Sequence, residues 1–476
     1  MRRMCTHGPA RPARAGTHRH QPCGSITSHG PSSTSRVSAA WVNERGPPQS
    51  CRPDAERDLM DRATVTGFQQ ADGVRDWRVL DTGASAWFDA PSLTAGAALV
   101  GRIAELTAAT GLPDVDLRPG GVRVRIGSAG DLTPVDVELA RSISAAAHEL
   151  GLTADPAVLQ AVRLVIDTTD RPSLVSFWRT VLGYEPAGTD GLGDPSRRDP
   201  ALSFHRSPPR PPRDRIHVDV VRAPNAVEAA RAAVGQEPSG AYGVALADAD
   251  GNVVDVVPGD RLSKEPETED WQVLFGAIAH YPVDSPVKAD GFVSAVAGLA
   301  DDAGLPLMVD LRADGVTIDS GKDQWEDGEG SATSRFVDLA GRIQTAARGL
   351  GLSADLARPR FVQLGFDAVD VRAVRAFWTS VLGYRHDPRA FVTDIYDPRR
   401  LNPVLFFQQM DAADTERRQH RNRIHVDLFV PHDQAQARID AAVAAGGRIV
   451  TEDAPDRRTI VDPEGNEVDI VTRHQA

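Results

Sequence analysis

The sequence predicts an α+β chain in which one pair of modules occurs twice: a β-α-β-β-α unit, then a segment reading βαβββ two times over. Three observations carry this. Short ordered motifs recur in the same order in both halves. Ala- and Leu-rich stretches of helical period alternate with short strand-like runs. Asp, Gly, Asn and Pro clusters separate those runs as tight turns do.

The repeat decides the architecture. Asp76-Trp77-Arg78-Val79-Leu80 recurs as Asp270-Trp271-Gln272-Val273-Leu274, and Gly111-Leu112-Pro113 as Gly304-Leu305-Pro306. Phe177-Trp178 with Val181-Leu182-Gly183-Tyr184 recurs as Phe377-Trp378 with Val381-Leu382-Gly383-Tyr384. Arg215-Ile216-His217-Val218-Asp219 recurs as Arg423-Ile424-His425-Val426-Asp427, and Asp248 to Asn252 as Asp462 to Asn466. The offset drifts from 378 − 178 = 200 at the tryptophan to 425 − 217 = 208 at the histidine. The expected division is a tail over 1–60, small modules at 70–157 and 266–357, and larger ones at 159–258 and 359–474. The charged stretch from Leu262 to Glu269 is the expected linker between halves.

In the first small module, Trp77 to Ala90 reads as one strand, and Ser92 to Gly111 as a helix with Leu99, Val100, Ile103 and Leu106 on one face. Val115 to Arg118, the turn Pro119-Gly120-Gly121, and Val122 to Ile126 read as strand, turn, strand. Thr133-Pro134 opens a second helix with a capping hydroxyl and proline in the first turn; its stripe is Leu139, Ile143, Ala147 and Leu150.

In the larger module, Val162 to Asp167 is a strand and Pro172 to Leu182 a helix. Arg215 to Val221, a helix over Ala226 to Val234, and strands near Tyr242–Ala247 and Val253–Val257 follow. Side chains alternate along a strand, so His217 and Asp219 share one face and Ile216, Val218 and Val220 the other. His425 with Asp427, and Glu467 with Asp469, obey the same parity. The apolar face should pack on helices and the polar face should line a concave interior. Trp178 and Trp378, among Leu and Val at helical spacing, are expected in the core.

Bulk properties bound the function. The 476 residues carry a formal charge of −13, which repels phosphate backbones and argues against a nucleic-acid partner. No apolar run reaches the roughly 18 residues of a membrane span. All three cysteines, Cys5, Cys23 and Cys51, lie in the tail, so the body has no disulfide, thiolate ligand or cysteine nucleophile. That pattern fits a cytoplasmic location. The tail holds nine Arg against four acidic residues among Pro, Gly and Ser, too little apolar surface to offset its ordering entropy, and is expected to be disordered; Met60 offers an alternative start.

The small module, through "DWRVL", "GLPDVDLRPGGVRVRI" and "LTPVDVELARSI", resembles the pterin-4a-carbinolamine dehydratase family over about 85 residues per half. The resemblance implies its α+β sandwich. The family's adjacent His-His falls on Gly111-Leu112 and Gly304-Leu305, which cannot move protons, and its later histidine falls near Ser128 and Ser320. Fold without the family's usual catalysis is therefore expected.

The larger module, through "DVRAVRAFWTSVLGY", "PVLFFQQM", "NRIHVDLFV" and "DPEGNEVDIV", resembles the glyoxalase-like branch of the vicinal-oxygen-chelate superfamily. The resemblance implies a half-barrel built from βαβββ repeats and a divalent metal held by the first and last strands of each unit. Carried over by position, the candidate ligands are His217 with Asp255 and His425 with Asp469, joined by His205 beside a Pro-rich loop. Arg163, Gln363 and Gln408 occupy the remaining ligand positions, and Arg163, as a permanent cation, departs from the pattern. These three, with Asp219, Asp427 and Glu467, are expected to line the pockets. In repeat one, His205, His217 and Asp255 would form a two-histidine, one-carboxylate set.

Three functions follow as expectations. The first is a glyoxalase-like lyase or isomerase whose metal polarises vicinal oxygens of a small substrate. The second is a metal-free binding protein of the drug-sequestering kind. The third is a 4a-hydroxytetrahydrobiopterin dehydratase, disfavoured by the missing His-His. The half-barrels are expected to pair either within the chain or in a homodimer.

Overall fold

The computed structural model describes residues 65–472 except 82, 128–131, 190, 209–214, 241, 323–332, 416, 418–421 and 455. The tail with its three cysteines, the Pro-rich loop beyond Pro208, and Ser128 lie outside the described residues.

The first half begins with α1 (Val65–Gln70), β1 (Trp77–Leu80), β2 (Gly83–Asp89), α2 (Leu93–Leu106), β3 (Asp114–Arg118), β4 (Gly121–Ile126), α3 (Pro134–Glu149) and a short β5 (Thr153–Ala154). The single strand expected over Trp77–Ala90 is instead the hairpin β1–β2, turned at Asp81, whose φ of 22° breaks the run. The expected cap of α3 is present: Thr133 and Asp136 form a reciprocal capping box, with Pro134 in the first turn. Leu106 and Leu150, assigned to apolar stripes, are exposed because they lie at helix ends past the last packed turn.

The chain continues through β6 (Ala161–Thr168), α4 (Arg171–Leu182), β7 (Glu185–Ala187), β8 (Gly191–Gly193), β9 (Ala201–Arg206), β10 (Ile216–Arg222), α5 (Pro224–Val234), β11 (Ala245–Ala247) and β12 (Val253–Pro258). Strand β13 (Asp260–Arg261) pairs with β14 (Gln272–Leu274), and Leu262 is buried, so the expected linker is partly built into the fold. The second half repeats the order with β15 (Gly276–Pro282), α6 (Pro286–Ala303), β16 (Met308–Arg312), β17 (Gly315–Asp319) and α7 (Ser334–Gly349). It ends with β18 (Arg360–Ala368), α8 (Val371–Leu382), β19 (Arg385–His386), β20 (Ile395–Tyr396), β21 (Val404–Gln409), β22 (Ile424–Phe429), α9 (Ala435–Ala444), β23 (Arg448–Ala454), β24 (Arg457–Val461) and β25 (Glu467–Val471).

Among the described residues the result is a mixed α+β arrangement with three sheets. In the first, the two small modules join edge to edge through antiparallel β3 and β16, with Asp116 opposite Asp310. Helices α2, α3, α6 and α7 pack their apolar stripes on one face of this sheet, around Trp77, Trp271, Ile143 and Ile343. The other face is charged and buried: Arg118 donates to Asp310 at 2.6 Å, and Arg312 donates to Asp116 at 2.6 Å. Buried charges persist only when paired, and this reciprocal crossing pairs them across the seam.

The other two sheets exchange strands between halves. One runs β11-β12-β10-β18-β21-β20-β19, the other β23-β24-β25-β22-β6-β9-β8-β7. Neither larger module closes on itself; each half-barrel takes its first βαβββ unit from one repeat and its second from the other. Of the two expected pairings, the intrachain one is the one observed. The joins are antiparallel, with Val218 opposite Leu364 and Val426 opposite Leu164. Those apolar faces share one continuous core with Trp178 and Trp378, both fully buried. Helices α4 and α8 stop on Gly183 and Gly383, at φ of 66° and 63°, the left-handed conformation that glycine adopts without strain.

Candidate functional site

Strand parity and strand exchange together make two clusters. In the first, parallel β10 and β12 place Asp219 opposite Asp255. His217 lies two residues before Asp219 on the same face, as alternation requires. Ligand atoms of His217, Asp219 and Asp255 all lie within 4.8 Å of one another. Antiparallel β18, from the other repeat, sets Gly365 opposite His217 and Gln363 opposite Asp219. A Cβ at Gly365 would overlap the His217 imidazole, so the missing side chain makes the room in which the ring sits. The His217 ring also meets Phe406 edge-on at 5.5 Å.

This first cluster has no ion-paired arginine or lysine among the described residues. The Gln363 amide donates to Asp219 Oδ2 at 2.9 Å. Asp219 Oδ1 is buried without a hydrogen bond, 3.7 Å from His217 Nε2, and Gln363 Oε1 is likewise buried and unpartnered. Burial pushes the Asp219 carboxyl above its usual range. Burial, with the neighbouring Asp219 charge, pushes Asp255 up to about 6. Two carboxylates held close and half-dehydrated repel each other, and a proton or a cation relieves that. Lys322 lies over the Phe406 ring at 5.7 Å but is paired with Asp394.

In the second cluster, β22 and β25 place Asp427 opposite Asp469, and His425, Asp427 and Asp469 converge within 4.8 Å, all buried. His425 Nε2 is 3.8 Å from Asp469. Here Arg457 on β24 donates to Asp427 Oδ1 at 2.9 Å, to Asp427 Oδ2 at 3.1 Å and to Asp469 Oδ2 at 2.5 Å. Thr459 donates to the other Asp469 oxygen. Burial raises Asp427 even so. The carboxylates that would hold a metal are already held by a guanidinium.

The strand register shows how the clusters diverged. Thr459 lies opposite Asp469, and Ala245 lies opposite Asp255. Two residues earlier stand Arg457 in one repeat and Gly243 in the other. Glycine and alanine thus replace the arginine and threonine that close the second cluster.

The expected ligand sets are recombined. His205 does not join His217 and Asp255, because β9 pairs with β6 in the sheet of β22; its exposed ring lies 6.2 Å from that of His425. Partial burial lowers its basicity, with His425 and Arg457 adding to the effect against the pull of Asp427. Arg163 lies opposite Asp427, pairs with Asp81 and stacks over Phe429 at 5.1 Å. Gln363 belongs with His217, not with His425. Gln408 lies on β21 in register with Asp367, and no hydrogen bond joins it to the His217 cluster. Buried Glu467 is paired in register with Val461 on β24. Asp219 and Asp427, expected only as lining, are cluster members. Trp178 and Trp378 are core residues as expected, and each indole also donates to the turn aspartate, Asp248 at 2.9 Å and Asp462 at 3.0 Å.

Fold and clusters define an α+β protein with paired, strand-exchanged half-barrels, each aiming a His-x-Asp strand and a second aspartate inward. Residues 163–257 and 363–471 match the family model described as a glyoxalase-like domain, and the chain carries glyoxalase-like domains over these two segments. Among solved structures, glyoxalase I from Zea mays is similar at 11% identity, covering 66% of this chain and 93% of its own, with a TM-score of 0.32. The cppA protein from Streptococcus pneumoniae TIGR4 is similar at 7% identity, covering 66% and 97%, with a TM-score of 0.28. The hypothetical protein SA1046 from S. aureus is similar at 13% identity, covering 23% and 90%, with a TM-score of 0.19. A search of curated proteins finds no match. No helix among the described residues is long and apolar enough to cross a membrane.

Proposed function

We propose that this is a glyoxalase-like, small-molecule protein in which the His217 cluster holds a divalent metal and the His425 cluster does not. One observation carries the reading: Asp219 and Asp255 share a site with an unpartnered buried oxygen and no arginine, whereas Arg457 fills the equivalent place beside Asp427 and Asp469.

His217, Asp219, Asp255 and the Gln363 carbonyl offer a mixed nitrogen and oxygen set, chemistry that suits a first-row divalent ion. A bound ion would supply Lewis-acid polarisation of paired substrate oxygens. The chain's own groups fix the rest. Gly365 and Phe406 orient the His217 ring. The Gln363 amide orients Asp219. Asp255, pushed up to about 6 by burial and the Asp219 charge in the metal-free protein, gives up its proton when the site takes a cation.

A second reading, a metal-free binding pocket, is favoured at the His425 cluster, where Arg457 is already the bound cation and His205 stands at the rim. A carbinolamine dehydratase activity of the small modules still lacks its proton-transfer groups at Gly111-Leu112 and Gly304-Leu305.

Metal analysis of the purified full chain tests the main reading. The expected result is one divalent ion per chain, lost in His217→Ala and retained in His425→Ala. A chain that retains no metal after supplementation removes the metal reading and leaves the binding one.

A further inference from the structure

The repeats also differ at a second place. Asp194-Pro195-Ser196-Arg197-Arg198 and Asp397-Pro398-Arg399-Arg400-Leu401 are matching turns. In each, the aspartate accepts backbone N–H groups two and four residues on. Each turn then holds an arginine in the left-handed region, Arg197 at φ 49° and Arg400 at φ 55°. Such a conformation costs any residue but glycine, so both guanidinium groups are delivered by a backbone the turn enforces.

Their destinations differ. Arg197 grips Asp114 through two nitrogens, with Nε 2.6 Å from Oδ2. The repeat mate of Asp114 is Met308, since "DVDLR" of β3 matches "MVDLR" of β16. Met308 and Arg400 line the same cavity, so the position equivalent to the Asp114 carboxylate offers Arg400 a thioether. Its guanidinium stacks 3.7 Å from the centre of the Tyr396 ring, and no carboxylate among the described residues lies within ion-pair distance of it. Burial depresses its basicity, opposed first by the stacked Tyr396 and then by Asp387, Asp319 and Asp397 beyond ion-pair distance.

Arg400 lines a partly enclosed cavity of about 180 Å³ with Arg118, Arg385 and Arg399. No Asp or Glu is among the described residues lining it. Arg118 is committed to Asp310. Arg399 stacks over Trp87 at 5.5 Å and has only a loose, 3.8 Å contact with Asp155. The volume is well above the ~10–15 Å³ that one water needs and below the ~300 Å³ at which pockets for drug-sized ligands begin, which leaves room for a small anion.

We propose that this cavity binds a small oxyanion, a carboxylate or phosphate group, held by Arg400 with Arg399 and Arg385, in the role that Asp114 fills for Arg197. Arginine's planar fork suits either group.

Calorimetric titration of the chelator-treated full chain with inorganic phosphate, and separately with acetate, tests this; chelation removes any contribution from a metal at the His217 cluster. Two variants accompany the wild type. Arg400→Gly suits the left-handed backbone and removes the guanidinium. Met308→Asp supplies an internal counter-ion of the kind that Asp114 provides in the other repeat. The expected result is saturable binding of at least one anion, weakened about tenfold or more in both variants, with Met308→Asp also raising the melting temperature. The tighter of the two anions identifies the group as phosphate or carboxylate. Absence of saturable binding overturns the proposal. So does binding that Arg400→Gly leaves unchanged, which marks an adventitious ion only.

Discussion

The His217 and His425 clusters share strand order, parity and residue types, yet differ in where their positive charge comes from. Around His425, Arg457 and Thr459 saturate Asp427 and Asp469 from the neighbouring strand. Around His217, that strand offers Gly243 and Ala245, and the carboxylates keep only a histidine and a glutamine amide for company. The lesson is that a duplicated site can keep its fold while one copy becomes internally neutralised. Three kinds of substitution probe the difference.

The largest effect is expected from Arg457→Gln. Breaking a buried ion pair leaves uncompensated charge and costs about 3–5 kcal/mol. The Arg457 side chain is 34% exposed, so solvent screening reduces this to about 2–3 kcal/mol. Urea unfolding of the variant reads the loss directly. The variant should also gain stability on adding Mn²⁺, because its carboxylates then resemble those around His217. Wild-type stability in Arg457→Gln would break the comparison.

Next come two carboxylate-to-amide changes of opposite sign. In the metal-free protein Asp255 titrates at about 6, above its ordinary 3.8. A raised carboxylate favours the fold fully below the unfolded value, and that contribution is lost as pH rises through 6. Asp255→Asn should therefore stabilise the metal-free chain by about 1–3 kcal/mol at pH 8 and by nothing near pH 4. Asp469→Asn should destabilise by about 1–3 kcal/mol at pH 8, because it strips Arg457 of one partner. Thermal melts at the two pH values decide it; equal signs at pH 8 would contradict the contrast.

The smallest effect is expected at Gly365. Its counterpart opposite His425 is Val165, so only the first cluster clears space for its imidazole from the facing strand. Gly365→Ala should displace His217 and weaken metal binding about tenfold, near 1.4 kcal/mol. Metal titration followed by stability measures it, and unchanged affinity would remove Gly365 from the site's construction.

Much of this is legible in the residues. Repetition of "RIHVD" and alternation along it place His217 with Asp219 and His425 with Asp427 on inward faces, because strand parity is local. The pairing of Asp255 and Asp469 with these histidines comes from the resemblance to the glyoxalase-like branch, not from the repeat itself. Strand exchange is not legible, since pairing of β10 with β18 is a long-range choice made in the shared core of Leu364, Val218 and Trp378. That is why sequence order alone groups His205 with the wrong histidine. Arg457 escapes notice because it lies outside every recurring motif. A residue-by-residue comparison back from Asp462 and Asp248 aligns it with Gly243 and exposes the difference. The β1–β2 hairpin is hidden by an apolar run that continues on both sides of Asp81.

We propose that one cluster takes a metal ion while its twin is filled by the chain's own guanidinium. Anomalous diffraction from crystals grown with Mn²⁺ tests it most directly. A single peak is expected among His217, Asp219 and Asp255, with none beside Arg457. A peak between His425 and Asp469 with Arg457 displaced, or peaks of equal height at both clusters, would contradict it.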